Sequence, residues 1–135
     1  MIIGRMQHFE EELSRLKEKL LTMASRSTAS VTTAMRALLE HDDDLARLVE
    51  ANDNVIDQLE MEIDETVIQL LAKSPLASDL RLIAVAMKIS HDLERVGDEA
   101  TAIARRCIEL IGHFSPGKAA LQILDRCERV LSGRA

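Results

Sequence analysis

Apolar residues recur every three or four positions along most of this 135-residue chain. That spacing is typical of helices that bury one face, and it predicts no strand. The pattern breaks at 41–44, at Ser74-Pro75 and at Ser115-Pro116, which divides the chain into three long helices and a shorter fourth. The predicted helices span about 6–39, 45–73, 76–111 and 116–131.

Each long helix carries an apolar seam that indicates its buried face. The first helix has a Ser- and Thr-rich stretch at 24–33, and a break stays open there because hydroxyl groups compete for backbone hydrogen bonds. The seam predicted for the second helix consists of Leu45, Leu48, Asn52, Ile56, Leu59, Ile63, Thr66 and Leu70. The seam predicted for the third consists of Leu82, Val85, Ile89, Leu93, Val96, Ala100, Ile103, Cys107 and Leu110.

The links between the helices are short and carry helix-capping residues. The aspartates after His41 suit an N-cap and the positive end of a helix dipole, and Ser74 and Ser115 are predicted N-caps with proline at the first helical position. Long helices joined by short links pack as antiparallel neighbours. The sequence therefore predicts an all-α fold in which 1–113 form an elongated antiparallel three-helix bundle and 114–135 form a short C-terminal helix.

Composition narrows the function classes. The formal net charge is -6 and the chain has two Phe and no Trp or Tyr, which argues against nucleic-acid binding because a basic face and stacking rings are lacking. Cys107 and Cys127 lie apart, without the spacing of a metal-binding pair, which favours reduced thiols. No uncharged run reaches membrane-spanning length, so we expect a cytoplasmic protein.

Two pairs of carboxylates stand out on the second and third helices. Asp53 and Asp57 are four residues apart, as are Glu94 and Asp98, so each pair shares one helix face. Both pairs are equally far from the turn near position 75, and an antiparallel hairpin therefore places them at the same height. At about 100° per residue, the four carboxylates lie on the sides of their helices opposite the predicted apolar seams. We therefore expect them on the surface, along the groove between the two helices.

Such a cluster repels itself unless a cation bridges it, so these four carboxylates are the candidate metal ligands. His91 lies one turn before Glu94 and offers a nitrogen, while Glu60 and Asp64 extend the acidic stripe. The alternative is an ordinary solvated helix face, neutralised by Arg95 or Arg106. Spacing alone does not select the metal.

Several segments resemble one protein family. The most specific is DLERVGDEATAIAR at 92–105, preceded by SPLASDLRLIAVAMKIS at 74–90. HFEEELSRLKEKLLTMA at 8–24 and NDNVIDQLEMEIDETVIQLLA at 52–72 are similar to earlier helices of the same family. Across roughly 8–112 the chain is similar to one repeat of the PhoU family of phosphate-signalling regulators.

The resemblance implies a function and a cofactor. The family's metal-binding E(D)xxxD motif is present here as Asp53-x-x-x-Asp57 and Glu94-x-x-x-Asp98. The resemblance therefore implies a multinuclear iron or zinc cluster on these residues. The family represses phosphate-starvation signalling by coupling the phosphate ABC transporter to a membrane sensor histidine kinase, and it is not known as an enzyme. Members of the family carry two tandem repeats, whereas this sequence contains one recognisable repeat. The fourth helix is therefore interpreted as the possible start of a second repeat.

Two other readings stay open on the sequence. One is a metal-free helical scaffold that dimerises, and the other is a ferritin-type redox enzyme, which the absence of a Glu-x-x-His motif disfavours. A homodimer is expected because a single repeat lacks its neighbour. The candidate contact is the small-residue face of the third helix, formed by Ser90, Gly97, Thr101 and Ala104 with Ile83, Met87 and Ile108 at its edges; the fourth helix is the alternative cover for it.

Overall fold

The computed structural model describes residues 2–73, 75–114 and 116–133, and helices joined by short turns make up this part of the chain. No strand occurs among those residues, which confirms the all-α prediction. The first helix begins earlier than predicted, and the third begins one residue later than predicted. The helices are α1 (Ile2–Glu40), α2 (Asp43–Leu71), α3 (Ala77–Phe114) and α4 (Pro116–Leu131).

The turn between α1 and α2 is built by capping groups. His41 adopts a left-handed conformation with φ of 54°, which lets the Asp42 N–H reach back to the Ala37 carbonyl at 3.0 Å and close α1. The Asp42 carboxylate then accepts hydrogen bonds from the N–H groups of Asp44 and Leu45, at 3.0 and 3.2 Å. The predicted aspartate cap is therefore confirmed, and Asp42 is the residue that provides it.

The other two predicted caps, Ser74 and Ser115, lie outside the described residues. Pro75 and Leu76 are not helical, and the Leu80 N–H donates to the Leu76 carbonyl at 2.9 Å. The Leu76 carbonyl thus accepts a hydrogen bond from the first turn of α3, which begins at Ala77, and proline precedes the helix instead of opening it.

The three long helices pack on one another, with α2 antiparallel to both α1 and α3. Two contacts fix the register of the parallel pair: the Ser27 hydroxyl donates to the Leu93 carbonyl at 3.1 Å, and the Ser90 hydroxyl lies 3.6 Å from the Met23 sulfur. A residue of α1 therefore lies level with the α3 residue about 66 positions later. The predicted three-helix bundle is the observed architecture.

The hydroxyl-rich stretch of α1 stays helical without a break. The Thr28 hydroxyl donates to the Ala24 carbonyl at 2.8 Å, and the Thr32 hydroxyl donates to the Thr28 carbonyl at 3.1 Å. These bonds add to the backbone ladder instead of replacing it. Ser27 and Ser30 point the other way, into the bundle, where both are buried.

The predicted seam of α3 is wrong over much of its length. Leu82, Val85, Ile89, Val96 and Leu110 are all exposed. The buried face lies to one side of them and includes many small residues, because close helix packing favours short side chains there. It consists of Ile83, Ala86, Ser90, Gly97, Ala100, Thr101, Ala104 and Cys107.

This correction overturns the contact face expected for a dimer. Ser90, Gly97, Thr101 and Ala104 are buried inside the bundle, so they offer no surface to a second copy. Nor do residues 121–131 of the fourth helix cover the bundle, because their side chains are all exposed. None of the described helices is both long and apolar enough to cross a membrane.

Candidate metal centre

The close approach of α2 and α3 depends on Gly97. A Cβ atom placed on this residue would lie 3.0 Å from Cδ1 and 3.3 Å from Cγ2 of Ile56, so the missing side chain lets the Ile56 side chain rest on the α3 backbone. Both residues are buried. Because Asp57 follows Ile56 and Asp98 follows Gly97, this contact brings the carboxylates of the two helices together.

Carboxylates from the two helices meet beside this contact. Asp53, Asp57 and Asp98 each offer an oxygen atom within 4.8 Å of the others. Glu94 joins them through a side-chain hydrogen bond with Asp98. The structure thus brings together all four residues singled out in the sequence, at the groove between α2 and α3.

Two of these carboxylates, Glu94 and Asp57, have raised pKa values. The hydrogen bond with Asp98, burial and the neighbouring charges raise the pKa of Glu94 to about 7. Burial, followed by the charges of Asp53 and Asp98, raises the pKa of Asp57. Near neutral pH Glu94 therefore keeps much of its proton, and a cation would replace that proton as the compensating charge.

No basic side chain neutralises the cluster among the ion pairs of the described residues. Arg106 pairs with Glu109 at 3.3 Å, and Arg105 pairs with Glu50 at 3.3 Å, further along the α2–α3 groove. Arg95, the other neutralising candidate, forms no ion pair in the described part of the chain. The alternative of a face neutralised by arginine thus finds no support in the observed ion pairs.

Two carboxylate oxygens provide a test of whether the residues suit a cation. Oδ1 of Asp53 and Oε2 of Glu60 are each buried without a hydrogen-bond donor. An anionic oxygen that is both desolvated and unpaired is costly, and a bound cation removes that cost. The donor set fits a hard metal ion, since it consists of carboxylates.

Glu60, which the sequence placed only at the end of an acidic stripe, borders the carboxylate cluster with a buried oxygen. Burial and the charge of Asp64 raise its pKa, while the nearby His91 lowers it. His91 is exposed and lies close enough to act on Glu60 through its charge. The sequence placed Glu60 on the correct side of α2, but its buried oxygen depends on packing that spacing does not reveal.

The location of the cluster separates it from ferritin-type centres. Ferritin-type ligands project into the core of a helical bundle and include Glu-x-x-His pairs. Here the core beside the site is filled by Ile56, and the carboxylates stand on the flank that α2 and α3 share. The geometry suits binding and charge compensation at a surface groove.

Residues 20–107 match the PhoU domain family. A phosphate-specific transport system accessory protein PhoU homolog from Pseudomonas putida is 47% identical over 105 residues, which are 77% of this chain and 41% of that protein. PhoU homolog 1 from Thermotoga maritima is 38% identical over 104 residues, which are 76% of this chain and 45% of that protein. The chain thus spans less than half the length of these relatives.

A solved structure agrees with the sequence relatives. The crystal structure of PhoU from Pseudomonas aeruginosa matches with a TM-score of 0.76 at 42% identity, over 78% of this chain and 51% of that one. The family match covers well over half of the chain, including both carboxylate pairs, and the chain belongs to the PhoU domain family.

Proposed function

We propose that this protein is a regulatory accessory protein of phosphate uptake that represses phosphate-starvation signalling. Its relatives are named as accessory proteins of the phosphate-specific transport system, at up to 47% identity. The proposal gives the chain a binding role without catalysis. Its partners are the phosphate ABC transporter and a membrane sensor histidine kinase, which it meets from the cytoplasm as a protein peripheral to the membrane.

The carboxylate cluster is the functional site in this proposal. Asp53, Asp57, Glu94 and Asp98 hold a multinuclear iron or zinc cluster, and Glu60 borders it. The observation that carries this assignment is the convergence of three carboxylate oxygens within 4.8 Å, from two helices, with no ion-pair partner among the described residues. The metal supplies positive charge, and the four carboxylates bind it and hold α2 and α3 together at mid-length.

Metal analysis of protein purified without chelator tests the site. The double variant Asp57→Asn/Glu94→Gln should lose tightly bound iron or zinc and stay fully helical, because the changed groups lie in a surface groove. The matched control Glu65→Gln/Glu99→Gln removes the same charge from exposed positions on the same two helices and should keep the metal. A double variant that binds metal like the unchanged protein would refute the assignment.

The same experiment separates the proposal from a metal-free scaffold. If the unchanged protein binds neither iron nor zinc at a fixed ratio, the scaffold reading is correct. The partner assignment has its own test, which is co-purification with the phosphate ABC transporter from membranes of the same cells. Loss of that association in the double variant, with retention in the control, would show that the metal site serves partner binding.

A further inference from the structure

The groove that holds the carboxylate cluster has a third level. The two pairs of the cluster share one midpoint in the chain, between residues 75 and 76: Asp53 with Asp98, and Asp57 with Glu94. Glu60 and His91 have that same midpoint, so the antiparallel hairpin places them level with each other as well. Each also continues the stripe of its own helix at a spacing of three residues. A carboxylate and an imidazole therefore lie level with each other one turn beyond the four carboxylates.

Glu60 connects this level to the rest of the cluster. Burial and the charge of Asp64 raise the pKa of Glu60, while the charge of His91 lowers it. The hydrogen bond with Asp98 is the main cause of the raised pKa of Glu94, and the charge of Glu60 adds to it. Glu60 thus lies near both His91 and Glu94, and its Oε2 atom is buried without a hydrogen-bond donor. An anionic oxygen in that position is costly unless a cation approaches it.

The three aspartates of the cluster account for one metal position. Their oxygens lie within 4.8 Å of one another, which suits a single cation. Glu60, Glu94 and His91 are not part of that group. A multinuclear cluster needs donors for a further ion, and these three side chains supply them on the neighbouring stretch of the groove.

The stripe of paired donors ends at His91. One turn further along α2, Asp64 is level with Met87, whose thioether is a soft ligand and does not suit the ions that carboxylates bind. In the opposite direction, Arg105 pairs with Glu50 at 3.3 Å and closes the acidic part of the groove. Among the described residues, His91 forms no ion pair and no side-chain hydrogen bond, so its ring nitrogens are available.

We propose that His91 is a nitrogen ligand of a second metal position, completed by Glu60 and Glu94, and that it makes this position select zinc or iron over magnesium and manganese. The inference rests on the proposed function, since it requires the carboxylate cluster to hold metal. A site made of carboxylates alone suits magnesium, calcium and manganese, whereas imidazole suits zinc and iron. Of the donors named on this groove, His91 alone distinguishes the two classes of ion.

The charge and exposure of the site favour the same assignment. Carboxylates already crowd about two turns of the groove, at Asp53, Asp57, Glu60, Glu94 and Asp98. A neutral imidazole binds a cation without adding another negative charge to them. His91 is exposed, so its ring can turn onto the groove in a staggered rotamer without displacing core residues. For the same reason, substitutions at this position should leave the fold intact.

Zinc titration of the metal-free full chain, followed by calorimetry and metal analysis, tests the inference. His91→Ala should bind one zinc ion fewer per chain than the unchanged protein, or bind that ion at least about 10-fold more weakly, because even an indirect partner of a metal ligand contributes about that much. The matched control His113→Ala makes the same change at an exposed position of α3 outside the cluster and should bind zinc as the unchanged protein does. Circular dichroism of the same samples monitors folding.

A carboxylate in place of the imidazole tests the selectivity. His91→Glu should restore the number of bound ions, but its preference for zinc over manganese in competition experiments should be weaker than that of the unchanged protein. Zinc should also shift the ring nitrogen resonances of His91, which are identified among those of the four histidines by their loss in His91→Ala.

Two results would each overturn the role of His91: a folded His91→Ala variant with the zinc content, affinity and selectivity of the unchanged protein, or ring resonances that zinc leaves in place. Failure of the proposed function has a different signature, which is metal retained by Asp57→Asn/Glu94→Gln. An unchanged protein that binds no metal would refute both proposals. If the double variant loses its metal while His91→Ala binds zinc normally, the metal centre stands and the role of His91 is refuted.

Discussion

The two ends of the bundle have cores of different construction. Near the turn between α2 and α3 the core is made mostly of bulky side chains, and it is called the bulky half here: Leu16, Met23, Ile56, Ile63, Val67, Leu70, Ile83 and Ala86. Near the turn between α1 and α2 it is made mainly of alanine, called the alanine half here: Ala34, Ala37, Ala46, Val49, Ala100, Ala104 and Cys107. Because interaxial distance follows side-chain size, we expect the helices to lie closer together in the alanine half than in the bulky half.

The candidate metal centre stands where these two halves meet. Ile56 belongs to the bulky half and Ala100 to the alanine half, and Gly97 lies between their levels. Buried hydroxyls from Ser27, Ser30 and Ser90 occupy the same zone. The comparison teaches that the carboxylates converge at the point where large side chains give way to small ones, because Gly97 leaves room there for Ile56 to lie directly against the α3 backbone.

The largest expected loss of stability comes from a substitution in the bulky half. Ile63→Ala removes a completely buried side chain and should lower the free energy of unfolding by about 3–4 kcal/mol, through lost burial and a residual cavity. Urea denaturation measures it. The control Ile68→Ala, at an exposed position on the same helix, should change that free energy by no more than about 0.5 kcal/mol. Similar losses at both positions would contradict the assignment of the buried face of α2.

In the alanine half, the destabilising substitution is the opposite one, from a small side chain to a large one. Ala104 is fully buried between closely packed helices, so Ala104→Leu should lower the free energy of unfolding by about 1–3 kcal/mol through overpacking. Ala102→Leu, at an exposed position of α3, adds the same atoms where there is room and should be nearly neutral. Thermal unfolding distinguishes the two. If Ala104→Leu stabilised the protein, the alanine half would contain unfilled space instead of close packing.

A pH titration examines the boundary between the halves. The pKa of Glu94 in the folded protein is about 7, above its ordinary value of 4.5, so folding favours the protonated form. Its stabilising contribution is fully present below the ordinary value and is lost as pH rises through about 7. Metal-free protein should therefore lose on the order of 1 kcal/mol of unfolding free energy over this range, discounted for partial exposure.

Glu94→Gln should flatten this dependence, because glutamine does not titrate. Asp57 and Glu60 contribute in the same direction, since burial raises the pKa of each, so part of the slope should persist in the variant. The control Glu99→Gln lies outside the cluster and should retain the full slope. An unchanged slope in Glu94→Gln would show that folding does not raise the pKa of Glu94.

Helix order, helix type and the antiparallel arrangement could all be predicted from periodicity and the two proline-containing links. The buried face of α3 could not, because that helix carries two apolar stripes. The stripe with the larger side chains, such as Ile89 and Val96, is the more hydrophobic of the two, but it is exposed to solvent. The true buried face contains Ser90, Gly97 and Thr101, whose burial depends on the size of facing residues and not on their own hydrophobicity.

The carboxylate cluster was predictable in position for a geometric reason. Equal distances from the turn at 75 place Asp53 with Asp98 and Asp57 with Glu94 whichever face of α3 is buried. The predicted direction of these side chains was less accurate, because the carboxylates border the buried face instead of pointing away from it. The buried oxygen of Glu60 and the contact of Gly97 with Ile56 depend on packing between helices, which one-dimensional spacing does not contain.

The smallest expected effects compare two serines at the junction of the halves. The buried hydroxyl of Ser27 donates to the Leu93 carbonyl at 3.1 Å, whereas that of Ser30 is buried without a partner. Ser27→Ala should therefore lower the free energy of unfolding by about 1 kcal/mol, and Ser30→Ala should be neutral or raise it slightly. Because both changes remove the same atom from equally buried positions of α1, urea denaturation of the pair isolates the contribution of the hydrogen bond. Equal losses in the two variants would indicate that Ser30 also has a partner, and the junction would then be a fully bonded polar layer.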